Sequence, residues 1–278
     1  MSIPPSVDTS QTALWNGPSG RGWIENQALL DGLFAPFEAL LLEALPAGSS
    51  ARVLDVGCGT GITTLAVARH VGGESVGIDI SAPMLDVARA RAAQAGVPAR
   101  FVCADAQEHD FGSERFDAVV SRFGVMFFDR PEAAFSNLRR ATRDGGRLRI
   151  ITWRRADENP FMTTAERAAA SLLPTLPPRK ANAPGQFALA DARRIREVLD
   201  AGGWRHVDAR PVDMPCAMPE HELRNYLMRL GPVGALLSDA DAATRKRVYE
   251  TIRPAFDEYV LGGQVRFSAA CWCVDATA

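Results

Sequence analysis

Between residues 51 and 153, apolar residues follow two patterns, one typical of strands and one typical of helices. Runs rich in β-branched and aromatic residues, which favour strands, begin at residues 53, 75, 101, 116 and 147. Between them, apolar residues keep helical spacing over roughly 61–71, 82–95 and 131–142. The last helix is expected to stop at Asp144-Gly145-Gly146, because glycine favours helix ends. This alternation predicts a mostly parallel sheet with helices on both faces, which binds ligands at the carboxyl ends of its strands.

The pattern changes on either side of this region. Residues 1–13 are polar and include a Pro-Pro pair, which predicts a mobile tip. Residues 24–45 have helical spacing, and Pro36 is expected to divide them into two helices. After the core, the pattern predicts a helix at 159–173, a Pro-rich loop at 174–186, a strand at 206–214, a helical insertion at 219–262 and a last strand at 265–274.

The first strand runs directly into a glycine turn. Residues 53–61 read V-L-D-V-G-C-G-T-G, an acid followed by glycines at alternate positions, and a helix begins at once. Glycines let the backbone turn sharply and let a ligand lie against it. A dinucleotide fingerprint requires a third glycine where Ile62 stands, and a P-loop requires a lysine that does not follow Gly61. The pattern instead resembles motif I of the class I S-adenosylmethionine (SAM)-dependent methyltransferases.

Three later segments extend this resemblance. Asp79 ends the second strand, 24 residues after Asp55, where an acid can bind ribose hydroxyls. Asp105 follows the third strand, and in this family an acid there accepts a hydrogen bond from the adenine amino group. The fourth strand leads into Ser121-Arg122-Phe123, which in the family lies beside the reactive methyl group. Ile80 and Met84 are expected either to form an apolar wall for adenine or to fill the core.

The resemblance implies a Rossmann-like, doubly wound, seven-stranded sheet with its last strand antiparallel. It also implies four parts: an N-terminal helical lid (1–50), the SAM-binding core (51–153), a helical acceptor cap (154–188) and the C-terminal part of the sheet (189–278). Trp15, Trp23 and Gln27 are the candidates for lid residues that contact the ligand. The expected cofactor-binding residues are Trp23, Gln27, Asp55, Gly57, Cys58, Gly59, Thr60, Gly61, Asp79, Ile80, Met84, Ala104, Asp105, Ala106, Ser121, Arg122 and Phe123.

Composition narrows the class of partner. The formal net charge is −2 and the isoelectric point is near 6.1, with no block of basic residues, which argues against nucleic acid. No apolar run is long enough to cross a bilayer, and no secretory signal is visible, so a cytoplasmic protein is expected. The five cysteines form no framework, which predicts free thiols, and the scattered histidines predict no metal site.

The leading hypothesis is an enzyme that transfers a methyl group from SAM to an O, N or C atom of a small, largely apolar metabolite, releasing S-adenosylhomocysteine. The alternative is a SAM-binding regulatory or scaffold protein without turnover. A nicotinamide oxidoreductase ranks third, because the sixth-position glycine and a Tyr-x-x-x-Lys pair are missing. The sequence assigns no catalytic residue, leaves open whether a general base exists, and leaves open whether the protein is a monomer or a homodimer.

Overall fold

A computed structural model describes residues 11–173 and 183–278. Its strands are β1 (Val53–Val56), β2 (Ser75–Asp79), β3 (Arg100–Cys103), β4 (Phe116–Arg122), β5 (Thr142–Trp153), β6 (Arg205–Pro219), β7 (Val260–Leu261) and β8 (Gln264–Thr277). They form one sheet in the order β3-β2-β1-β4-β5-β8-β6, and the two-residue β7 pairs with β8. Strands β1 to β5 pair in parallel, whereas β8 is antiparallel to both β5 and β6. The predicted doubly wound sheet with an antiparallel last strand is confirmed.

The helices are α1 (Gln11–Asn16), α2 (Pro18–Glu25), α3 (Gln27–Leu33), α4 (Ala35–Leu42), α5 (Ile62–Val71), α6 (Ala82–Ala95), α7 (Pro131–Ala141), α8 (Pro160–Ala169), α9 (Ala192–Ala201), α10 (Leu223–Arg229), α11 (Gly231–Leu236) and α12 (Ala242–Ile252). Short 3-10 helices cover Gly124–Phe127, Glu220–Glu222 and Arg253–Tyr259. The predicted helices of the core match α5, α6 and α7 to within one residue at each end. Pro36 lies in the first turn of α4 and separates it from α3, as predicted. No helix in the described ranges is both long and apolar enough to cross a membrane.

Two expectations about local structure were wrong. Helix α7 ends at Ala141, so Asp144-Gly145-Gly146 is not its stop signal but part of β5. The pairing of β4 with β5 shifts register there, and Gly145 has a φ of +76°, so the glycines accommodate an irregularity in the strand. At the N-terminus, residues 11–13 belong to α1 rather than to a mobile tip. Residues 1–10 and the segment 174–182 of the predicted Pro-rich loop lie outside the described residues.

Apolar side chains fill both faces of the sheet. On one face, Phe37 and Leu41 of α4 are fully buried and belong to the same cluster as the helices of the C-terminal insertion. On the other, Leu138 of α7 packs with Val198 and Leu199 of α9. Full burial of one such side chain stabilises the fold by about 1.5–3 kcal/mol. Both faces are therefore closed by helices, and the carboxyl ends of the strands are left for a ligand.

Candidate functional site

A cavity of about 480 Å³ opens at the carboxyl ends of β1 to β4. One half, the sheet-end half, is lined by the glycine turn after β1 and by the residues that follow β2, β3 and β4. The other, the helical half, is lined by α8, α10, α11 and the 3-10 helix Arg253–Tyr259. Helices α1 to α3 contribute residues to the same wall. The fold thus joins a polar sheet edge and a largely apolar helical chamber in one cavity.

The glycine turn has the backbone that its sequence requires. Gly57, Gly59 and Gly61 all have positive φ, at +66°, +53° and +85°. A Cβ on Gly57 would lie 2.6 Å from the Cα of Gly124, so the two chain segments touch backbone to backbone. At Gly59 the nearest atom to such a Cβ is the Cε of Met84, at 2.9 Å. These conformations are inexpensive only for glycine, and they expose the backbone of the turn to the cavity.

Asp55 lies at the end of β1 and is 2 % exposed. Its Oδ2 accepts a hydrogen bond from the Thr64 hydroxyl at 2.7 Å. Burial raises the pKa of Asp55 to about 6, the Thr64 hydrogen bond and the charge of Arg122 oppose that rise, and the charge of Asp79 adds to it. Burial likewise raises the pKa of the adjacent Cys58 thiol, which therefore stays neutral at physiological pH. Of these two groups, Asp55 is therefore the one that carries a negative charge near neutral pH.

Asp79 and Asp105 follow the next two strands. Asp79 Oδ2 accepts a hydrogen bond from the Gly59 amide at 2.7 Å, and Oδ1 accepts one from the Ser81 amide at 2.9 Å. Burial raises the pKa of Asp79, and these backbone hydrogen bonds oppose the rise. Asp105 accepts hydrogen bonds from both the backbone amide and the side-chain amide of Gln107. Each carboxylate is therefore held in place and keeps acceptor capacity towards the cavity that it lines.

The N-terminal helices are fastened over this edge. Asn16 accepts a hydrogen bond from the Ala82 amide at 3.1 Å and donates one to the Ile80 carbonyl at 3.1 Å. The Ser81 hydroxyl donates to the carbonyl of Trp15 at 2.7 Å and caps the start of α6. The Trp15 ring packs edge-on against Phe127 with centroids 4.9 Å apart. The hydrogen bonds connect α1 to the segment that follows β2, and the ring contact connects it to the loop after β4.

A polar chain continues from α3 to the glycine turn. Gln27 donates to Asp31 at 2.9 Å, Asp31 pairs with Arg91 at 2.7 Å, and Arg91 donates to the Thr60 carbonyl at 2.9 Å.

Among the described residues, the buried Oε1 of Gln11 has no hydrogen-bond partner, and Gln11 lines the cavity. An orphaned acceptor of this kind fits a ligand that donates hydrogen bonds.

The helical half is mostly apolar and aromatic, and two charged residues, Glu166 of α8 and Arg229 of α10, also line it. Arg229 forms an ion pair with Glu25 of α2. Phe161 of α8 lies within 5.3 Å of the Phe256 ring and 5.6 Å of the Tyr226 ring, measured between centroids. The Tyr226 hydroxyl donates to the Met162 sulfur at 3.4 Å, and burial raises the pKa of this hydroxyl. Helical spacing indicated that these segments were helices, but it did not identify which side chains face the cavity.

Fifteen of the residues expected to bind the cofactor line this cavity, and two do not. At Gly61 a side chain would point towards α6, because a Cβ there would lie 2.8 Å from the Cβ of Ala88. Ser121 is fully buried, donates to the Val56 carbonyl at 2.7 Å and accepts from the Val125 amide at 3.3 Å. Gly61 is the N-cap residue of α5, and Ser121 joins the loop after β4 to β1.

Sequence and structure comparisons identify relatives. Residues 53–146 match the methyltransferase domain family. An uncharacterized protein of Mycobacterium tuberculosis is 35% identical over 125 residues, which are 45% of this chain and 45% of that relative. The match thus spans less than half of the mycobacterial protein's length. The ubiquinone/menaquinone biosynthesis C-methyltransferase UbiE of Stutzerimonas stutzeri is 30% identical over 179 residues, which are 63% of this chain and 70% of that protein.

A solved structure shares the fold. The YcgJ protein of Bacillus subtilis superposes with a TM-score of 0.58 at 18% identity, covering 86% of this chain and 97% of that one. At this identity the likeness is one of fold alone.

Proposed function

Because the chain belongs to the class I SAM-dependent methyltransferase family, we propose that it transfers a methyl group from SAM to an O, N or C atom of a small, largely apolar metabolite. One observation carries the proposal. The polar sheet-end half and the apolar helical half are parts of a single cavity, so a cofactor and an acceptor would meet inside it. Pockets of this kind bury an apolar ligand and orient it with a few polar groups.

The sheet-end half fits SAM part by part. Asp55 suits the ammonium group, Asp79 the ribose hydroxyls and Asp105 the adenine amino group, since each carboxylate retains acceptor capacity. Ile80 and Met84 line the same cavity and would flank the adenine. Gln11 Oε1 supplies one further acceptor.

Bound SAM would supply an electrophilic methyl group on a sulfonium sulfur to an electron pair of the acceptor (a lone pair on O or N, or the π electrons of an electron-rich carbon), with S-adenosylhomocysteine as the leaving group and any displaced proton passing to solvent. Within the enclosure, the chain's own residues orient the acceptor and exclude water. The rings of Phe161, Tyr226 and Phe256 provide an apolar surface for that purpose. Catalysis by positioning needs no general base when the acceptor atom is already unprotonated at the working pH.

The direct test is transfer of a labelled methyl group. Purified protein is incubated with methyl-labelled SAM and a panel of apolar phenols, quinols and amines, and label is counted in the extracted product. Carbon acceptors belong in the panel, because the Stutzerimonas relative bears the name of a C-methyltransferase. Label in a product that depends on the protein supports the proposal. Tight SAM binding without transfer across the panel would favour a regulatory protein.

The proposed acceptor is a small molecule rather than a nucleic acid, and the proposed form is a monomer or homodimer in the cytoplasm. The net charge of −2 supports the first point. The five cysteines are free thiols, as a reducing compartment favours.

A further inference from the structure

Arg122 has no carboxylate within ion-pair distance in the described part of the chain. Its guanidinium lies against Phe34: Nη1 donates a hydrogen bond to the backbone carbonyl at 3.5 Å, and the guanidinium carbon lies 6.0 Å from the ring centroid. Another partly buried arginine beside the cavity, Arg91, is instead paired with Asp31 at 2.7 Å. Arg122 is therefore a cation that lines the cavity without a counter-ion.

The unpaired charge of Arg122 destabilises the folded protein unless a ligand supplies a counter-ion. Burial lowers the pKa of Arg122, but an arginine stays protonated in proteins, so the charge remains. A desolvated charge without a partner destabilises a fold. Asp31, Asp55 and Glu38 attract the guanidinium only from a distance, and Asp31 is already bonded to Arg91. The unpaired charge points to an anion as its partner.

The neighbouring strand indicates which anion fits. Asp55 pairs with Val120 across the parallel β1–β4 ladder, so Arg122 lies two residues further towards the carboxyl end. The site thus presents a carboxylate and a guanidinium side by side, which is complementary to an α-amino acid carrying both an ammonium and a carboxylate. An anion without an ammonium would leave the Asp55 carboxylate beside it uncompensated.

We propose that Arg122 binds the α-carboxylate of the amino acid end of SAM, opposite the ammonium that faces Asp55. This inference rests on the proposed function, because it assumes that SAM is the ligand. It assigns Arg122 a binding role in the cofactor subsite and leaves the acceptor subsite uncharged at that position.

The test compares two ligands on two variants. Calorimetry measures the affinity of the wild type, Arg122→Gln and Arg147→Gln for S-adenosylhomocysteine and for its decarboxylated analogue, which keeps the ammonium. Arg147 is the matched control, since it is an exposed arginine on the neighbouring strand β5 and lies outside the cavity. We expect Arg122→Gln to weaken S-adenosylhomocysteine about 10- to 100-fold, the range for hydrogen bonds to charged groups. The analogue should change by less than about threefold on the same variant.

Each other outcome has a distinct meaning. Equal losses for both ligands on Arg122→Gln would overturn the inference, because the residue would then act on the shape of the site. Unchanged affinity for S-adenosylhomocysteine would overturn it as well, and would assign the cation to an acceptor. Failure of the wild type to bind S-adenosylhomocysteine would contradict the proposed function itself, which separates the two failures. Arg122→Lys, which keeps the charge, should retain part of the affinity if the variant with Gln loses it.

Discussion

The carboxylate of Asp79 accepts a hydrogen bond from the backbone amide of Gly59 at 2.7 Å. This contact joins the end of β2 to the centre of the glycine turn after β1, and the second oxygen of Asp79 holds the Ser81 amide at 2.9 Å. One acid therefore shapes the loop on one side and offers acceptor capacity to the cavity on the other. Its removal should therefore affect both the shape of the loop and the binding of the ligand.

Asp79→Ala should weaken S-adenosylhomocysteine binding by on the order of 1.5–3 kcal/mol, the contribution of hydrogen bonds to a charged group. Part of this loss will come from the Gly59 amide, which loses its acceptor. Asp79→Asn is the matched variant, because it keeps one acceptor oxygen, and we expect a smaller loss. Calorimetric titration measures both, and a loss well under 1.5 kcal/mol for alanine would show that Asp79 does not hold the ribose.

Two glycines of the turn should respond differently to substitution. Gly57→Ala places a Cβ 2.6 Å from the Cα of Gly124, so we expect a loss of stability of at least about 2 kcal/mol from overpacking and left-handed strain. At Gly59 the nearest atom is the flexible methyl of Met84, so Gly59→Val carries left-handed strain of about 1–2 kcal/mol without a backbone clash. We expect this variant to remain folded and to lose cofactor binding, because its side chain occupies the space above the turn. Thermal denaturation and calorimetry together separate the effects. Unchanged affinity in Gly59→Val would contradict the role of the turn.

Ligand affinity should depend on pH through Asp55. Its pKa of about 6 in the folded protein exceeds the ordinary value of 3.8, so the carboxyl takes up a proton as the pH falls through 6. The protonated group no longer attracts an ammonium, whereas the ligand's own amine stays charged. Asp79, whose pKa is also raised, adds to the effect in the same direction.

We therefore expect affinity to be nearly constant above about pH 7 and to fall by up to tenfold per unit below about pH 6. Titrations of S-adenosylhomocysteine from pH 5 to 8 measure the profile. Asp55→Asn should bind more weakly and show a flatter profile, since Asp79 alone then titrates. An identical slope in that variant would exclude Asp55 as the group responsible.

The hydrogen bonds of Asn16 should keep the N-terminal helices closed over the cavity. Asn16→Ala removes its bonds to the Ile80 carbonyl and the Ala82 amide, each worth about 1 kcal/mol. We expect faster proteolysis of the segment before α3 in the ligand-free protein and an affinity lower by up to about tenfold. Protection of that segment by S-adenosylhomocysteine should be reduced in the variant. Proteolysis equal to that of the wild type would contradict this role for Asn16.

The parts of the site that could be predicted are those fixed by local sequence and sheet topology. A glycine turn and an acid at the end of a strand are local signals, and parallel strands bring Asp55, Asp79 and Asp105 to one edge whatever the loops do. The same reasoning placed Ser121 at this edge, where its hydroxyl bonds to Val56 instead of facing the cavity. Position along a strand predicts the edge, but not which way a side chain turns.

The helical half could not be predicted in the same way. Phe161, Tyr226 and Phe256 come from three elements separated by up to 95 residues, and their rings meet only after the insertion has packed on the sheet. Helical periodicity gives the apolar stripe of each element, but the stripe serves core and cavity alike. The absence of an ion-pair partner for Arg122 among the described residues could not be predicted either, because it depends on which carboxylates lie near it in the folded chain.

The central claim is that the sheet-end half of the cavity binds SAM. Calorimetric titration of the purified protein with S-adenosylhomocysteine, with NADH as the control ligand, tests it most directly. The account predicts binding of S-adenosylhomocysteine with an affinity on the order of micromolar, which is about −8 kcal/mol, and no binding of NADH. Binding of NADH alone, or of neither ligand, would contradict it.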